Sequence, residues 1–555
     1  MKKTLMVVGL GLGLFICLFL LNAAPSPQET IYQEYVPGEV LVKFKPMAGK
    51  QAAIAVLDVI KPRVVNYLGQ EIAFTDWDPE VTLKSSFLGD PHLVHLRVPE
   101  TIGTEKAISM LKNNPNVEYV EPNYIYCFYE TIPNDPYIYL QWGLNNTGQS
   151  GGTVDSDIDA PEAWDIFTGS QDVVVAVIDS GIDYSHVDLA QNIWINPGEI
   201  PNNGIDDDGN GYVDDCRGWN FYSNNNNPMD YLGHGTHVAG IIGAVGNNGT
   251  GVTGVCWNVK LMALRIVPDA ASAIKAIDYA ISMEAKIMNA SWGSPSYSSS
   301  LLSAIGRAQA AGALFIAAAG NSPPPGKNND LTPYYPSSYD LDNIIAVLST
   351  DHNDNKSGFS HYGIYSVDLS APGGSDTIQS SYNIYSTFRE NKYRYLSGTS
   401  MATPFVTGLA ALLLGQRPEI DWWQRKTIIL KSVDVKSQLQ GKVRTSGRLN
   451  AYNSLICSTP VLPAAPSNLR GVAFKNGDFY DLELTWTDNS NNESGFAIYL
   501  KSGNVFFQID QVAQDVTTYW LVEVPAGYYY FYIRAFNTDG ESLKTPQIAV
   551  KAFYY

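Results

Sequence analysis

Three short stretches set an acid, a base and a nucleophile far apart in the chain. Asp179 stands in VIDSGID, directly after the apolar run VVVAVI; His234 opens the helical stretch in GHGTHVAGIIGA; Ser400 lies in SGTSMATPFVTGLAALLL, just ahead of a long apolar segment. A serine hydroxyl is a poor nucleophile until an imidazole accepts its proton. The imidazole in turn needs a carboxylate to hold its tautomer and stabilise its cation. Singly, each residue has a plainer reading, since an Asp after a strand caps helices and a His or Ser beside Gly is ordinary turn material. Together they fill the three roles of acyl transfer. Asn321, in AAAGNS, can donate its side-chain amide to a developing oxyanion. The backbone amide of Ser400, at a helix start, adds partial positive charge there.

A second chemistry is written in oxygen ligands. In IDDDGNGYVDDC, residues 205–216, Asp206, Asp208 and Asn210 occupy alternate positions and Gly211 follows, as in the first half of an EF-hand loop, with Tyr212 offering its carbonyl. The twelfth position is Arg217, not a bidentate Glu, so Asp214 or Asp215 must substitute. The competing reading is a solvated acidic turn that needs no ion. His237, four residues after His234, gives HGTH, which lacks the glutamate of HExxH zinc sites.

These residues need elements to position them. The runs VVVAVI and ALFIAAAG are uniformly apolar, as strands covered on both faces must be, and helical stretches such as ASAIKAIDYAISM and LLSAIGRAQAAG lie between them. Residues 131–458 therefore read as α/β, a mainly parallel sheet flanked by helices, with the site at the strands' carboxyl ends. Ahead of it, GEVLVKF, HLVHLRV and a short helix ending near Asn113 to Pro115 make a small α+β unit. Behind it, a proline-rich linker over 459–466 leads to short alternating strands over 467–555, an all-β sandwich. Trp486 and Tyr529 are expected in its core.

Of 555 residues, 45% are hydrophobic and 16% charged, enough apolar material for several cores and too much for disorder. The net charge of -19 repels phosphate backbones, which argues against a nucleic-acid partner and favours cations. MKK, a long apolar run and NAAPSPQ have the layout of a secretory signal over residues 1–24; an N-terminal membrane anchor is the alternative. Of five cysteines, Cys17 falls in that signal and Cys127 before the expected mature start. Cys216, Cys256 and Cys457 remain, with either one bridge, such as Cys216 to Cys256, or free thiols.

VIDSGID, GHGTHVAG and SGTSMATP, in that order, closely resemble the three signature motifs of the subtilisin-like serine proteases, whose Asp, His, Ser order is already known. The resemblance implies a subtilisin-like fold and peptide-bond hydrolysis by Asp179, His234 and Ser400. It also implies an oxyanion hole made by Asn321 and the Ser400 amide, and a structural role for His237. Ser291, Trp292 and Gly293 would pair with an extended polypeptide substrate, and Ala318, Ala319 and Gly320 would line the other wall of the specificity pocket. Asp135, Asp188, Val245, Asn248, Thr250 and Val252 match the strong calcium site of thermitase-like members, so structural calcium at more than one site is expected. Residues 31–130 resemble the family's inhibitory propeptide, with self-cleavage between Tyr126 and Asp135. Residues 467–555 resemble a fibronectin type III domain; its aromatics chiefly fill a core, and contact with a surface or polymer is the alternative role. A silent binding or adhesion protein is the alternative function.

Overall fold

The computed structural model describes residues 35–46, 64–67, 70–73, 82–87, 90–98, 102–124, 131–377 and 379–553. The expected signal, Cys17 and Cys127 lie outside these residues, as do residues 126–130, the first half of the stretch expected to hold the self-cleavage bond. The chain forms two units, one ending at Tyr129 and one beginning at Glu130. Among the described residues no helix is long and apolar enough to cross a membrane.

In the first unit four antiparallel strands are ordered Thr82–Phe87, Asp90–Arg97, Tyr35–Phe44, Val117–Tyr124. Alternation along VLVKF sends Val40, Val42 and Phe44 to one face. There they meet Val94, Leu96 and the buried Ala107 and Leu111 of the helix Thr104–Leu111.

The second unit is built on a nine-stranded sheet. Its order is Asp434–Val435, Gly447–Arg448, Leu369–Pro372, Ile344–Thr350, Leu314–Ala318, Ile287–Ala290, Gly169–Asp179, Asn258–Arg265, Gly218–Asn220. All pairings are parallel except that between the first two strands. The reason VVVAVI must be apolar throughout is visible in the packing. Val173, Val175 and Val177 face the helices His234–Gly243 and Thr399–Gln416, while Ala176 and Ile178 face Ala270–Ser282 and Ser299–Ala310. The register Ile287 to Val175 and Asp179 to Arg265 sets Asp179, Arg265 and Ser291 at one carboxyl edge.

Residues 467–552 form two antiparallel sheets. One holds Ser467–Asn476, Phe479–Thr487 and Thr518–Val524; the other holds Val505–Ala513, Gly495–Ser502, Gly527–Asn537, Gly540–Glu541 and Ile548–Ala552. Leu482, Leu484, Trp486, Phe496, Phe531 and Ile533 fill the space between. Tyr529 lies at the margin of that core and its hydroxyl donates to the Pro525 carbonyl (2.8 Å). The sandwich is docked on the α/β part, not merely tethered. Arg534 pairs with Asp342 where both are buried, Trp423 Nε1 donates to Glu541 O (2.8 Å), and Lys544 reaches Asp340 (2.6 Å). Removing either Arg534 or Asp342 would strand the other charge in a buried site, at a cost of about 3–5 kcal/mol.

The three described cysteines are free thiols, so the bridge from Cys216 to Cys256 is not formed. Cys256 Sγ instead donates to the Asn258 carbonyl at 3.3 Å, and burial pushes its pKa up to about 12, leaving an inert thiol.

Candidate active site

Asp179 ends its strand buried, and its Oδ1 accepts hydrogen bonds from His234 Nδ1 (2.7 Å) and from Ser180 N (2.7 Å). His234 starts its helix and keeps 38% of its side chain exposed on the cleft side. The Asp179 carboxylate raises its pKa above the ordinary histidine value; burial opposes the shift and Asp230 adds to it. The helix can approach Asp179 this closely because the next residue is Gly235. A Cβ there would stand 2.1 Å from Gly181 O and 3.1 Å from Asp179 Oδ1.

Asp230, which sequence reasoning missed, anchors the start of that helix. Its Oδ1 accepts from Ser180 Oγ (2.9 Å), Leu232 N (2.8 Å) and Gly233 N (2.9 Å), and its Oδ2 from Thr236 N (2.9 Å) and Thr236 Oγ1 (2.7 Å). Ser180 Oγ also accepts from Gly235 N at 2.9 Å, which ties the residue after Asp179 to the residue after His234. The only sequence signal is an Asp four residues before His234, upstream of the N-cap position, which Gly233 holds.

Ser400 lies in the first turn of Thr399–Gln416. Its hydroxyl donates to the Ser291 carbonyl (2.9 Å), and the Ser291 hydroxyl donates to the Ser400 carbonyl (2.9 Å). The second bond has a covalent cause. In a helix the Ser400 carbonyl would accept from residue 404, but Pro404 carries no N–H. Ser291 satisfies the acceptor and so joins the end of the strand Ile287–Ala290 to the helix that carries Ser400. Asn321 is turned by Thr399, whose N (3.0 Å) and Oγ1 (3.1 Å) both donate to its Oδ1, leaving Nδ2 free to donate elsewhere. A Cβ on Gly398 would lie 3.5 Å from Asn321 Nδ2 and 3.6 Å from Ser400 N. Glycine therefore keeps open the space that both donors border.

Beyond Ser291, the N–H and C=O of Trp292 and the N–H of Gly293 make no backbone hydrogen bond among the described residues. This leaves a strand edge open to an added peptide. Trp292 Nε1 is fixed on Ile178 O (2.7 Å). On the other side Ala318 ends the strand Leu314–Ala318, Ala319 N donates to Val347 O (3.0 Å), and Gly320 N to Thr399 Oγ1 (3.3 Å). Between these segments stands Tyr334, a second residue missed from sequence. Its hydroxyl donates to Gly293 O (2.8 Å), and its ring comes within 2.4 Å of where a Cβ on Gly293 would sit and within 2.7 Å of one on Gly320. A separate cleft of about 560 Å³ reaches from Asp179 and His234 along Tyr222, Tyr231, Leu232, Val267 and Trp292.

His237 is wholly buried, Nε2 donating to the carbonyls of Ile384 (3.2 Å) and Arg394 (3.0 Å), and burial drives its pKa down to about 3. It is part of the packing, away from the reacting groups.

The two oxygen-rich sites differ. Asp135 and Asp188 are both buried. Burial raises the pKa of each, and Asp188 raises that of Asp135 further. The loop 245–252 wraps them: Asn247 N and Asn248 N donate to Asp135, while Asn248 Nδ2 (2.9 Å) and Val252 N (2.8 Å) donate to Asp188. Val245 N donates to Asp188 O (2.8 Å), and Thr250 N to Asn248 Oδ1 (2.7 Å). Two buried carboxylates that pair with no Lys or Arg among the described residues fit a divalent ion.

In the acidic loop Asp206 and Asp208 converge with Glu199, their ligand atoms within 4.8 Å of one another. Asn210 and Tyr212 are arranged as a turn, Asn210 N donating to Asp206 and Asp208 and Tyr212 N to Asn210 Oδ1. Asp214 faces away, accepting from Asn203 N and Gly204 N (3.0 Å each). Asp215 is buried and accepts from Asn196, Asn210 and Tyr279. The third carboxylate is thus Glu199, seven residues upstream of Asp206. It is buried, and its Oε2 has no hydrogen-bond partner.

Residues 170–453 match the subtilase family (Peptidase_S8), and residues 80–123 match the fervidolysin N-terminal prodomain. A thermophilic serine proteinase of Bacillus sp. strain AK1 is 34% identical over 428 residues, covering 76% of this chain and 88% of that protein. Thermitase of Thermoactinomyces vulgaris is 36% identical over 328 residues, 58% of this chain and 99% of thermitase. Subtilisin-like protease 1 of Plasmodium berghei strain Anka is 35% identical over 365 residues; the match takes in 62% of this chain and 57% of that longer protein.

Proposed function

Because the chain belongs to the subtilase family of serine endopeptidases and carries a fervidolysin-type prodomain, we propose that it is secreted as a calcium-stabilised, self-processing zymogen that cleaves extended polypeptides through Asp179, His234 and Ser400. The observation that carries this reading is the 2.7 Å bond from His234 Nδ1 to Asp179, at the sheet edge where Ser291 joins the Ser400 helix. With Nδ1 donating to a carboxylate, Nε2 is the free base. Ser400 leaves the Ser291 carbonyl and its oxygen attacks the scissile carbonyl carbon, while Nε2 takes the hydroxyl proton. Negative charge collects on the carbonyl oxygen and is met by Asn321 Nδ2 and Ser400 N. His234 then protonates the departing amine, leaving an acyl-Ser400 that water hydrolyses by the same proton relay. The oxyanion donor is worth about 3–4 kcal/mol, a magnitude taken from subtilisin itself.

The free backbone of Trp292 and Gly293 supports capture of substrate as an added strand, with little regard for side chains. Side-chain selection falls to Tyr334, which closes the space between Gly293 and Gly320 and favours a small residue at the cleaved position. The apolar cleft beside His234 receives larger apolar side chains on one flank of the cut. Calcium, when bound, screens the carboxylates of each loop and braces it. Asp135 and Asp188 with Val245, Asn248, Thr250 and Val252 hold one ion, and Glu199, Asp206 and Asp208 a second. Cleavage between Tyr126 and Asp135 releases the prodomain, residues 31–130. The C-terminal sandwich, read as fibronectin type III-like, stays attached to the mature enzyme. Its half-exposed Phe474 and Trp520, ring centroids 5.5 Å apart, support contact with a surface or polymer.

Labelling with a serine-directed fluorophosphonate, alongside intact mass of wild type and Ser400→Ala, tests the reading. Wild type should label at Ser400 and lose its prodomain, and Ser400→Ala should do neither. A mature wild-type protein that folds but does not label would establish the silent binding protein instead.

A further inference from the structure

The C-terminal sandwich carries a group of carboxylates that neither catalysis nor docking uses. Asp488 follows the strand Phe479–Thr487, Glu493 precedes the strand Gly495–Ser502, and Asp515 lies between Val505–Ala513 and Thr518–Val524. One oxygen from each lies within 4.8 Å of the others. Three acids in contact are not by themselves a site, because exposed carboxylates gather in loops without an ion. Glu493 changes the argument. It is 4% exposed, and both of its carboxylate oxygens are buried with no hydrogen-bond partner. Among the described residues no lysine, arginine or histidine forms an ion pair with any of the three. A buried carboxylate without donors is costly whether ionised or protonated. The polar requirement is therefore met from outside the chain, on the side where Asp488 and Asp515 also point an oxygen.

We propose that Asp488, Glu493 and Asp515 bind a calcium ion. The donor set is all carboxylate oxygen, a hard set that excludes soft transition metals. It sits on loops, which suit calcium's flexible six-to-eight coordination better than the strict octahedron of magnesium. The topology gives the ion a task. The stretch holding Asp488 and Glu493 carries the chain from the three-stranded sheet to the five-stranded sheet, and the stretch holding Asp515 carries it back. An ion held by both crossovers staples the two sheets at one end of the sandwich. Asp488 is pre-positioned for this, its Oδ1 accepting from Ser490 N (2.9 Å) within its own crossover.

Hydrogen exchange read by mass spectrometry on the full chain, carrying Ser400→Ala to prevent self-digestion, tests the site without reference to activity. After chelation, millimolar calcium, the range in which extracellular modules bind it, should slow exchange in peptides spanning 486–495 and 513–518. In Glu493→Gln that response should vanish. In Asp515→Asn, an exposed change that leaves the core intact, half-maximal protection should need at least about tenfold more calcium. Unchanged exchange in those peptides on adding calcium, or a full response in folded Asp515→Asn, would overturn the proposal. The loop 245–252 reports separately in the same spectra, so failure of the catalytic-domain calcium reading remains distinguishable from failure of this one.

Discussion

Replacing Gly235 by alanine perturbs the proposed catalytic pair, Asp179 and His234, with a single methyl group. The added Cβ would lie 2.1 Å from the Gly181 carbonyl oxygen, about 1.2 Å short of the roughly 3.3 Å at which carbon and carbonyl oxygen touch. Neither side yields easily. Gly181 is part of the backbone turn that follows Asp179, and the helix start is tied down by four hydrogen bonds to Asp230. The relief available is to lift the first turn, with His234, away from Asp179. Moving it about 1.2 Å stretches the 2.7 Å bond beyond hydrogen-bonding distance. A misplacement of about 1 Å in a catalytic group costs on the order of 10²-fold in rate, about 2.7 kcal/mol of barrier. Overpacking should cost a further 1–3 kcal/mol, roughly, of stability. The assay is kcat/KM on a fluorogenic peptide, with a melting curve to establish folding and Gly306→Ala, where nothing lies within 4 Å of the new Cβ, as control. Folded Gly235→Ala retaining a third or more of wild-type kcat/KM would refute the claim that this approach positions His234.

Asp230→Asn removes a negative charge that helps raise the His234 pKa. The base works as neutral imidazole, so activity is lost below that pKa. The acid limb of the kcat/KM profile should move to lower pH in the variant, and a limb that stays or moves up would contradict the assigned cause. The same substitution turns one acceptor of Thr236 into a donor and should destabilise the protein by about 1–3 kcal/mol in urea melts. Tyr334→Ala should open the primary pocket, raising kcat/KM for phenylalanine or leucine at the cleaved position relative to alanine by tenfold or more, roughly one to three kcal/mol of added burial. An unchanged preference would move selection elsewhere. Chelation should lower Tm, since an ion bound only by the native state at a hundred times its Kd adds about 2.7 kcal/mol. Asp206→Asn with Asp208→Asn should shrink that drop without abolishing labelling of Ser400.

Much of the fold was legible because it rests on patterns that one strand or helix carries alone. VVVAVI had to be a strand covered twice, and Ala107 and Leu111, one turn apart, had to share a helix face, whatever the neighbours were. The acidic loop was legible only as far as its local spacing reached. Asp206 and Asp208 converge as their alternation suggests, but Asp214 and Asp215 are taken up by Asn203, Gly204, Asn196 and Tyr279. The third acid is Glu199, outside the motif. The cysteines carried no spacing from which a bridge could be decided, and packing left them free.

The sequence alone singled out the proposed reacting groups, Asp179, His234, Ser400 and Asn321, and the strands and helices that end on them, since residue type and local periodicity are properties of one segment. Tertiary structure decided how those groups are held. Ser291 serves the carbonyl that Pro404 cannot, Asp230 anchors the His234 helix, Tyr334 closes the space between two walls, and Arg534 docks the sandwich on Asp342. Each of these joins segments brought together by the sheet, over separations as long as 192 residues. A hydrogen bond or a steric limit acts over a few ångströms of space, and no local pattern in a chain encodes which distant residue will stand within that reach.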